Sequence, residues 1–437
     1  MAGGRVSSSS LQRLLQLGSL VTRVGASVAG QHLAGMARSG GGRERARTEN
    51  LVLNAARIVA TLGEMKGAAM KVGQMLSLHD SILPPEVAEV LRALQKEAPR
   101  IPFAVVQEEL ALELPGYERL FREIEPEAFA AASIGQVHRA VLHDSRPVPV
   151  KIQYPLIDRI VAADLGNLRR LLQALFALFS DTDFEPIWRE LSARLGEELD
   201  YLHEAENIGR MAELHRDVPE VVIPQVIAEA TTKRVLTMEY VTGIAPDEAC
   251  SARHPQELKN RWGEVLLAFL LRGLLRHRLL HADPNLANFA FRADGTVIVY
   301  DFGCLKRVPA VIARGYREVA RAVIEDRQAD VPAVLLAMGV SRANGEAVAL
   351  EPLRGVIEGV AEVFRAAPPF CFSDAAAIYR RIFDLKSDHF DAATDLRFPP
   401  DVVFIDRAIA GHFGNLSRLD ATGDWRGILV SFFRRRG

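Results

Sequence analysis

Apolar positions along the 437-residue chain change their period several times, and each change marks a predicted element. Leu11, Leu14, Leu15, Leu17, Leu20 and Val21 recur at roughly helical spacing. From Asn50 to about Leu78 the pattern is again helical, rich in Ala, Leu and Met, and Asp80 to Pro85 breaks it. Pro84 and Pro85 suit the first turn of a further helix, and a short helix from about Phe103 to Leu112 follows Pro102. The period then shortens. Phe129 to Leu142 reads as strand, loop, strand, His143 to Pro147 as a turn, and Val148 to Gln153 as the returning strand. Residues 156–178 and 186–213 are predicted helical, with Val221–Ile227 and Arg234–Glu239 as a strand pair. After Gly243 the prediction is mainly helix, apart from a buried strand at Thr296–Tyr300 behind the Asp294-Gly295 turn. Val265 to Leu280 is interrupted by Arg272, Arg276, His277 and Arg278. It falls short of the ~20 apolar residues a membrane span needs and reads as a buried helix.

Composition narrows the class. The chain is 49% hydrophobic, 25% charged and 7% aromatic, which fits one large or two ordinary soluble domains. A formal net charge of -2 supplies no electrostatic argument for a nucleic-acid partner, and none is expected. Cys250, Cys304 and Cys371 are far apart, without metal-ligand spacing, as suits a reducing compartment. Residues 1–43 hold Arg5, Arg13, Arg23, Arg38 and Arg43 but no acid. Three readings stay open for them: an amphipathic helix on an anionic membrane surface, a mitochondrial or plastid transit peptide, or a flexible basic tail. Gly40–Gly42 reads as a linker.

The candidate chemistry lies in His281-Ala-Asp-Pro-Asn-Leu-Ala-Asn288 and in Val297-Ile-Val-Tyr-Asp-Phe-Gly303. Phosphoryl transfer depends on positioning and on neutralising phosphate charge. One carboxylate orients the acceptor hydroxyl and takes its proton, while a second carboxylate and an amide oxygen hold magnesium. Protein kinases place these groups as H-R-D-x-x-x-x-N and then D-F-G. Here Asp283 and Asn288 keep the same separation, and Asp301 follows thirteen residues later at the end of a strand. Val148-Pro-Val-Lys151 resembles the strand whose lysine contacts the phosphates. Glu197, Glu198, Asp200 and Glu204 offer partners for a lysine, and Leu236 to Gly243 falls where an adenine-binding hinge belongs, with Glu239 and Tyr240 at its centre. The glycine-rich phosphate loop is missing. Ala130-Ala-Ala-Ser-Ile-Gly-Gln-Val-His138 stands in its place, and alanines restrict the backbone more than glycines do.

That loop, together with Lys71-Val-Gly73-Gln74, Glu198-Leu-Asp200-Tyr, Glu204-Ala-Glu-Asn207 and His281-Ala-Asp-Pro284, resembles the UbiB family of AarF-domain atypical kinases over about residues 45–430. The resemblance implies an α+β, atypical protein-kinase-like bilobal fold with an N-terminal helical extension and a largely helical C-lobe. It divides the chain into a basic segment at 1–47, the extension with the K-x-G-Q motif at 48–125, an N-lobe at 126–243 and a C-lobe at 244–437. It implies ATP or ADP and Mg2+ as cofactors, and ATPase or atypical kinase activity. It also implies a part in isoprenoid-lipid metabolism of the ubiquinone type, with an isoprenoid lipid or quinone precursor and an anionic membrane surface as partners. The expected location is the cytoplasm, peripheral on the inner membrane, or a mitochondrial or plastid matrix in a eukaryote.

Carried over residue by residue, Asp283 takes the catalytic-aspartate role and Lys151 contacts the phosphates. Ala130, Ala131, Ala132, Ser133 and Gly135 line the nucleotide with Glu239 and Tyr240, and Asn288 and Asp301 hold magnesium. Glu198 and Asp200 face Lys71 and Gln74 across a close approach at Gly73, and either Glu198 or Glu204 pairs with a lysine. Asn285, Leu286 and Ala287 depart from the usual H-A-D-P-H-P-G-N, and Pro149 replaces the alanine that lines the adenine pocket. These departures put turnover in question and feed one alternative, a catalytically weak nucleotide-binding regulatory scaffold; a conventional protein kinase is a further alternative, disfavoured by the alanine loop, by K-x-G-Q and by the lack of an A-P-E-like segment after Asp301.

Overall fold

The computed structural model describes residues 101–132, 134–159, 184–373 and 396–433, with isolated positions between 161 and 173. The predicted helices before residue 101, and with them Lys71, Gly73 and Gln74, lie outside the described residues, as does Ser133. The chain divides into two compact units, and the divisions fall within strands β1 (Phe121–Ala132), β2 (Gly135–Leu142) and β3 (Pro147–Gln153).

In the first unit, helix α1 (Phe103–Glu113) starts where Pro102 predicts it, buried through Val106 and Leu110. The unit also holds most of β1, the start of β2, the end of β3 and helix α2 (Phe184–Glu198). The first strand, predicted from Phe129, begins at Phe121, and Ala130–Ala132 form its end rather than a loop. Along β3, Val148, Val150 and Ile152 are buried while Pro149 and Lys151 share the other face, the period-2 alternation of a half-buried strand. Gly135 is set by packing, because a Cβ there would collide with the Ile152 carbonyl. The Ile134 carbonyl accepts from the Tyr154 N–H at 2.9 Å.

The helix predicted over 186–213 is two helices. Asp200 ends the first and caps the second, α3 (Tyr201–His215), accepting from the Leu202 N–H at 3.0 Å and the His203 N–H at 3.3 Å.

The second unit is mainly helical, as expected, but carries short strands that the helical pattern concealed. Val221–Val222 (β4) does not pair with the segment after Arg234. It runs parallel to β8 (Val297–Val299) in a sheet of order β4-β8-β7, with β7 at Phe289–Phe291. Val235–Thr237 (β5) instead closes the four-stranded sheet of order β1-β2-β3-β5. Only Val226 and Met238 bridge between the two segments expected to pair.

The buried helix expected through Leu280 ends earlier. Helix α4 (Gln256–Leu271) passes into a π-turn at Arg272–His277, and Leu279–His281 is strand β6, paired antiparallel with β9 (Leu305–Arg307). Arg278 makes that change of direction with φ 54°. A β-strand of three buried residues following a buried helix has no period of its own, so the two read as one apolar run. Helices α5 (Ala310–Ile324), α6 (Arg354–Arg365) and α7 (Pro400–Arg418) are the other long helices described in the unit. Trp262 on α4 is fully buried, its ring 5.0 Å from that of Phe291, and its Nε1–H is satisfied by the Arg292 carbonyl at 2.9 Å.

Candidate functional site

The candidate catalytic residues sit on loops that leave two short strand pairs. The β7–β8 pairing aligns Phe289 with Val299, which brings the residue before β7 beside the residue after β8. The Tyr300 N–H accordingly donates to the Asn288 carbonyl at 2.9 Å. The β6–β9 pairing aligns His281 with Leu305, and the Ala282 N–H donates to the Cys304 carbonyl at 2.9 Å. Asp283, Asn288 and Asp301 are thus drawn together from segments that pattern alone leaves separate.

Side chains tighten the arrangement. The Asn288 amide Nδ2 donates to the Asp283 carbonyl at 3.4 Å, which leaves its Oδ1 without a hydrogen bond among the described residues. Asp283 Oδ1 accepts from the Asn285 N–H at 3.1 Å, and its Oδ2 is unengaged among the described residues. Asp301 Oδ1 accepts from the Gly303 N–H at 3.0 Å. His281 Nε2 lies 2.6 Å from the Asp301 carbonyl. A carbonyl only accepts, so Nε2 carries the proton.

His281 is almost fully buried, in a cage of Phe269, Phe289 and Phe302 with ring centroids at 5.9, 5.7 and 5.5 Å. From α3, Asn207 donates its Nδ2–H to the Phe302 carbonyl at 3.0 Å, so the E-A-E-N asparagine anchors the D-F-G segment. Helix α7 closes the cage from behind. Asn415 donates to the Pro284 carbonyl at 2.8 Å, a Cβ on Gly411 would collide with the Pro284 ring, and the His412 ring lies 5.9 Å from that of Phe289. Burial first, and the adjacent His281 second, push the His412 imidazole down to about 3, so it is neutral at physiological pH.

The remaining predicted residues fall as follows. Ala130, Ala131 and Ala132 end β1, Gly135 opens β2, and Lys151 is half-buried on β3. Gln136 and His138 of the same motif are structural. His138 Nδ1–H donates to the Glu125 carbonyl at 2.8 Å, its Nε2 accepts from the Gln136 amide at 2.8 Å, and the Gln136 Oε1 accepts from the Ile101 N–H at 3.0 Å. Desolvation lowers the His138 pKa, consistent with that neutral tautomer. Glu198 ends α2 half-buried, whereas Glu204 in the first turn of α3 is 4% exposed. Glu239 and Tyr240 follow β5, where the Met238 N–H donates to the Pro149 carbonyl at 3.2 Å and the Glu239 N–H to the Gln225 carbonyl at 2.7 Å. Tyr300 extends this network, its hydroxyl donating to the Val241 carbonyl at 2.8 Å. Among the described residues no three Asp, Glu, His or Cys side chains converge as a metal site.

Sequence reasoning left four members of this constellation without a role: His281, Asn207, His412 and Asn415. The H-x-D spacing carries a signal for His281. Asn207 stands in the E-A-E-N motif, but its partner lies 95 residues away; Asn415 acts across 131 residues, and no local pattern announces it or His412.

A family model for the ABC1 atypical kinase-like domain matches residues 93–335. The chain belongs to the ABC1 atypical kinase-like (UbiB) family. The mitochondrial atypical kinase COQ8B of Danio rerio is 32% identical over 335 residues, 73% of this chain and 52% of that protein. The COQ8B of Rattus norvegicus is 34% identical over 331 residues, 74% of this chain and 61% of that protein. The chain therefore spans between about half and three fifths of the length of these relatives. A solved structure from Mycobacterium tuberculosis, a complex with erythromycin, superposes with a TM-score of 0.63 at 27% identity, covering 88% of this chain and 97% of that one.

Within this ABC1-family domain the departures at 285–287 are accommodated by local structure. Asn285 caps the turn Leu286–Asn288, its Oδ1 accepting from the Ala287 N–H at 3.1 Å, and Leu286 is buried. Pro149 accepts the Met238 N–H through its carbonyl, the only hydrogen-bonding group its backbone has. Among the described residues no helix is long and apolar enough to cross a membrane.

Proposed function

We propose that this ABC1-family chain binds adenine nucleotide with magnesium and acts as an atypical kinase or ATPase in isoprenoid-lipid metabolism of the ubiquinone type, at a membrane surface. The observation that carries the reading is the hydrogen-bonded unit of His281, Asp283, Asn288 and Asp301. Magnesium favours oxygen ligands, keeps several waters, and is held by one or two carboxylates plus substrate phosphates. A site built of the Asp301 carboxylate and the Asn288 amide oxygen fits that habit without a third protein ligand. The bound ion supplies neutralisation of phosphate charge. The Asp283 carboxylate, with Oδ1 fixed by the loop, presents Oδ2 to an acceptor hydroxyl or a water and can take its proton. Lys151 contacts the phosphates, with Ala130, Ala131, Ala132 and Gly135 along the nucleotide and Glu239 and Tyr240 at the adenine.

A catalytically weak nucleotide-binding scaffold is the second reading, favoured by Pro149 at the hinge and by Asn285 where the family pattern has histidine. Phosphate release with and without anionic liposomes separates the two. The enzyme reading expects magnesium-dependent turnover that falls by roughly 10²–10⁴ in Asp283→Asn while nucleotide binding is retained. Wild-type turnover in that variant removes Asp283 from the chemistry, and absence of turnover in the wild-type chain with intact binding supports the scaffold.

A further inference from the structure

Beyond the nucleotide site, the second unit holds a cavity of about 450 Å³ beside the π-turn and helix α5. Its charged walls are four arginines: Arg276, Arg278, Arg314 and Arg317. Among the described residues no acid lines it, and the remaining wall is small and apolar, chiefly Leu275 and Ala313.

Several observations set this cavity apart from a solvated basic face. Several other arginines of the unit are matched with carboxylates, as in Arg321–Glu318, Arg354–Glu351, Arg365–Asp326 and Arg418–Asp247. The side chains of Arg276, Arg278 and Arg314 make no hydrogen bond or ion pair among the described residues. Arg317 donates one Nη2–H to the Leu275 carbonyl at 2.7 Å, while its Nε is buried without a partner. Arg317 is the half-buried member of the four, tethered to the π-turn by that bond. Helix α5 begins at the same place. Ala310, its first residue, lines the cavity, Pro309 provides no side-chain cap, and the first turn has no acid. The amide groups of that turn add a positive dipole end to the guanidinium groups.

We propose that this cavity is an anion site for a phosphate-bearing group, distinct from the nucleotide site. Guanidinium groups bind phosphate oxygens bidentately, and a volume of this size admits a phosphate or diphosphate with part of its substituent. The group can belong to a soluble diphosphate or to a phospholipid headgroup. Arg278 lies immediately before β6, the strand that ends in His281, so occupancy acts at the root of the catalytic loop.

The test compares the full chain with Arg276→Ser/Arg314→Ser, both exposed side chains, and with Arg278→Ser as a second variant. Thermal melts come first. The double variant retains the wild-type Tm or exceeds it, because repulsion between unpaired like charges is removed. One arm titrates inorganic pyrophosphate by calorimetry. The other measures co-sedimentation with phosphatidylcholine vesicles, with and without phosphatidic acid. The expected result is a loss of affinity on the order of tenfold or more in both variants in at least one arm, and the responding arm names the source. Pyrophosphate held at the nucleotide site survives in the variants as a separate class and does not mask the loss. Equal binding by wild type and variants in both arms, or no binding by the wild type in either, overturns the proposal.

Discussion

His281 donates from Nε2 to the Asp301 carbonyl at 2.6 Å, so the histidine that opens the catalytic loop fixes the backbone of the candidate magnesium ligand. His281→Ala removes that donor and opens a gap among Phe269, Phe289 and Phe302. Loss of a buried hydrogen bond and of packing is expected to cost about 2–4 kcal/mol of stability. Magnesium-dependent nucleotide affinity should also fall, because Asp301 is no longer held in place. Chemical denaturation and nucleotide titration check the two effects. Wild-type affinity in a folded His281→Ala chain would detach His281 from the metal site.

Helix α7 should act as a positioning element of the same loop. Gly411→Ala introduces a methyl group that collides with Pro284, and Asn415→Ala leaves the buried Pro284 carbonyl without its donor. Each change is expected to destabilise the protein by about 1–3 kcal/mol. Because Pro284 adjoins Asp283, turnover should fall more than nucleotide affinity does. The two variants share one partner and should combine non-additively. A double-variant cycle read on phosphate release checks this, and strict additivity would make α7 a structural support only.

Acid sensitivity follows from two buried histidines. His412 is pushed down to about 3 by burial and by His281. His215 is pushed down to about 4 by burial, with His277 and Arg272 contributing. Their folded-state values lie below the ordinary 6.5, so as pH falls the unfolded chain binds protons first. The stability that depends on neutral rings is complete above about pH 6.5. It declines below that by roughly 1.4 kcal/mol per pH unit for each histidine until the folded values are reached. His412→Leu removes one titrating ring, so its stability between pH 6.5 and 4 should fall less steeply than wild type. Parallel curves in urea denaturation across that range would remove His412 from the acid response.

The sequence makes the local half of this site legible and hides the long-range half. Asp283, Asn288 and Asp301 are readable because their chemistry demands fixed short spacings on loops that leave apolar strands. The helix at Phe103–Glu113 is readable from Pro102 before it, the strand at Pro147–Gln153 from its alternation, and the strand at Val297–Val299 from its β-branched run behind the Asp294-Gly295 turn. Leu279–His281 is too short to show any period and lies in an apolar run with α4. The partner of Val221–Val222 is 76 residues downstream and parallel, which no hairpin signal encodes. The alanine motif reads as a phosphate loop, but Gln136 and His138 are occupied with Ile101 and Glu125, and Gly135 with the Ile152 carbonyl. Only tertiary contacts separate those structural demands from a functional one.

The central claim is that Asp301 holds magnesium on a bound nucleotide, and titration of ADP or ATP into wild-type and Asp301→Asn protein, with and without magnesium, tests it most directly. A hard cation loses its carboxylate in this substitution, while an amide of the same shape remains to accept from the Gly303 N–H. The account predicts tight, magnesium-dependent binding by the wild type and near-complete loss of the magnesium dependence in Asp301→Asn, with the fold intact by thermal melt. Unchanged magnesium-dependent affinity in the variant, or wild-type binding indifferent to magnesium, would contradict it.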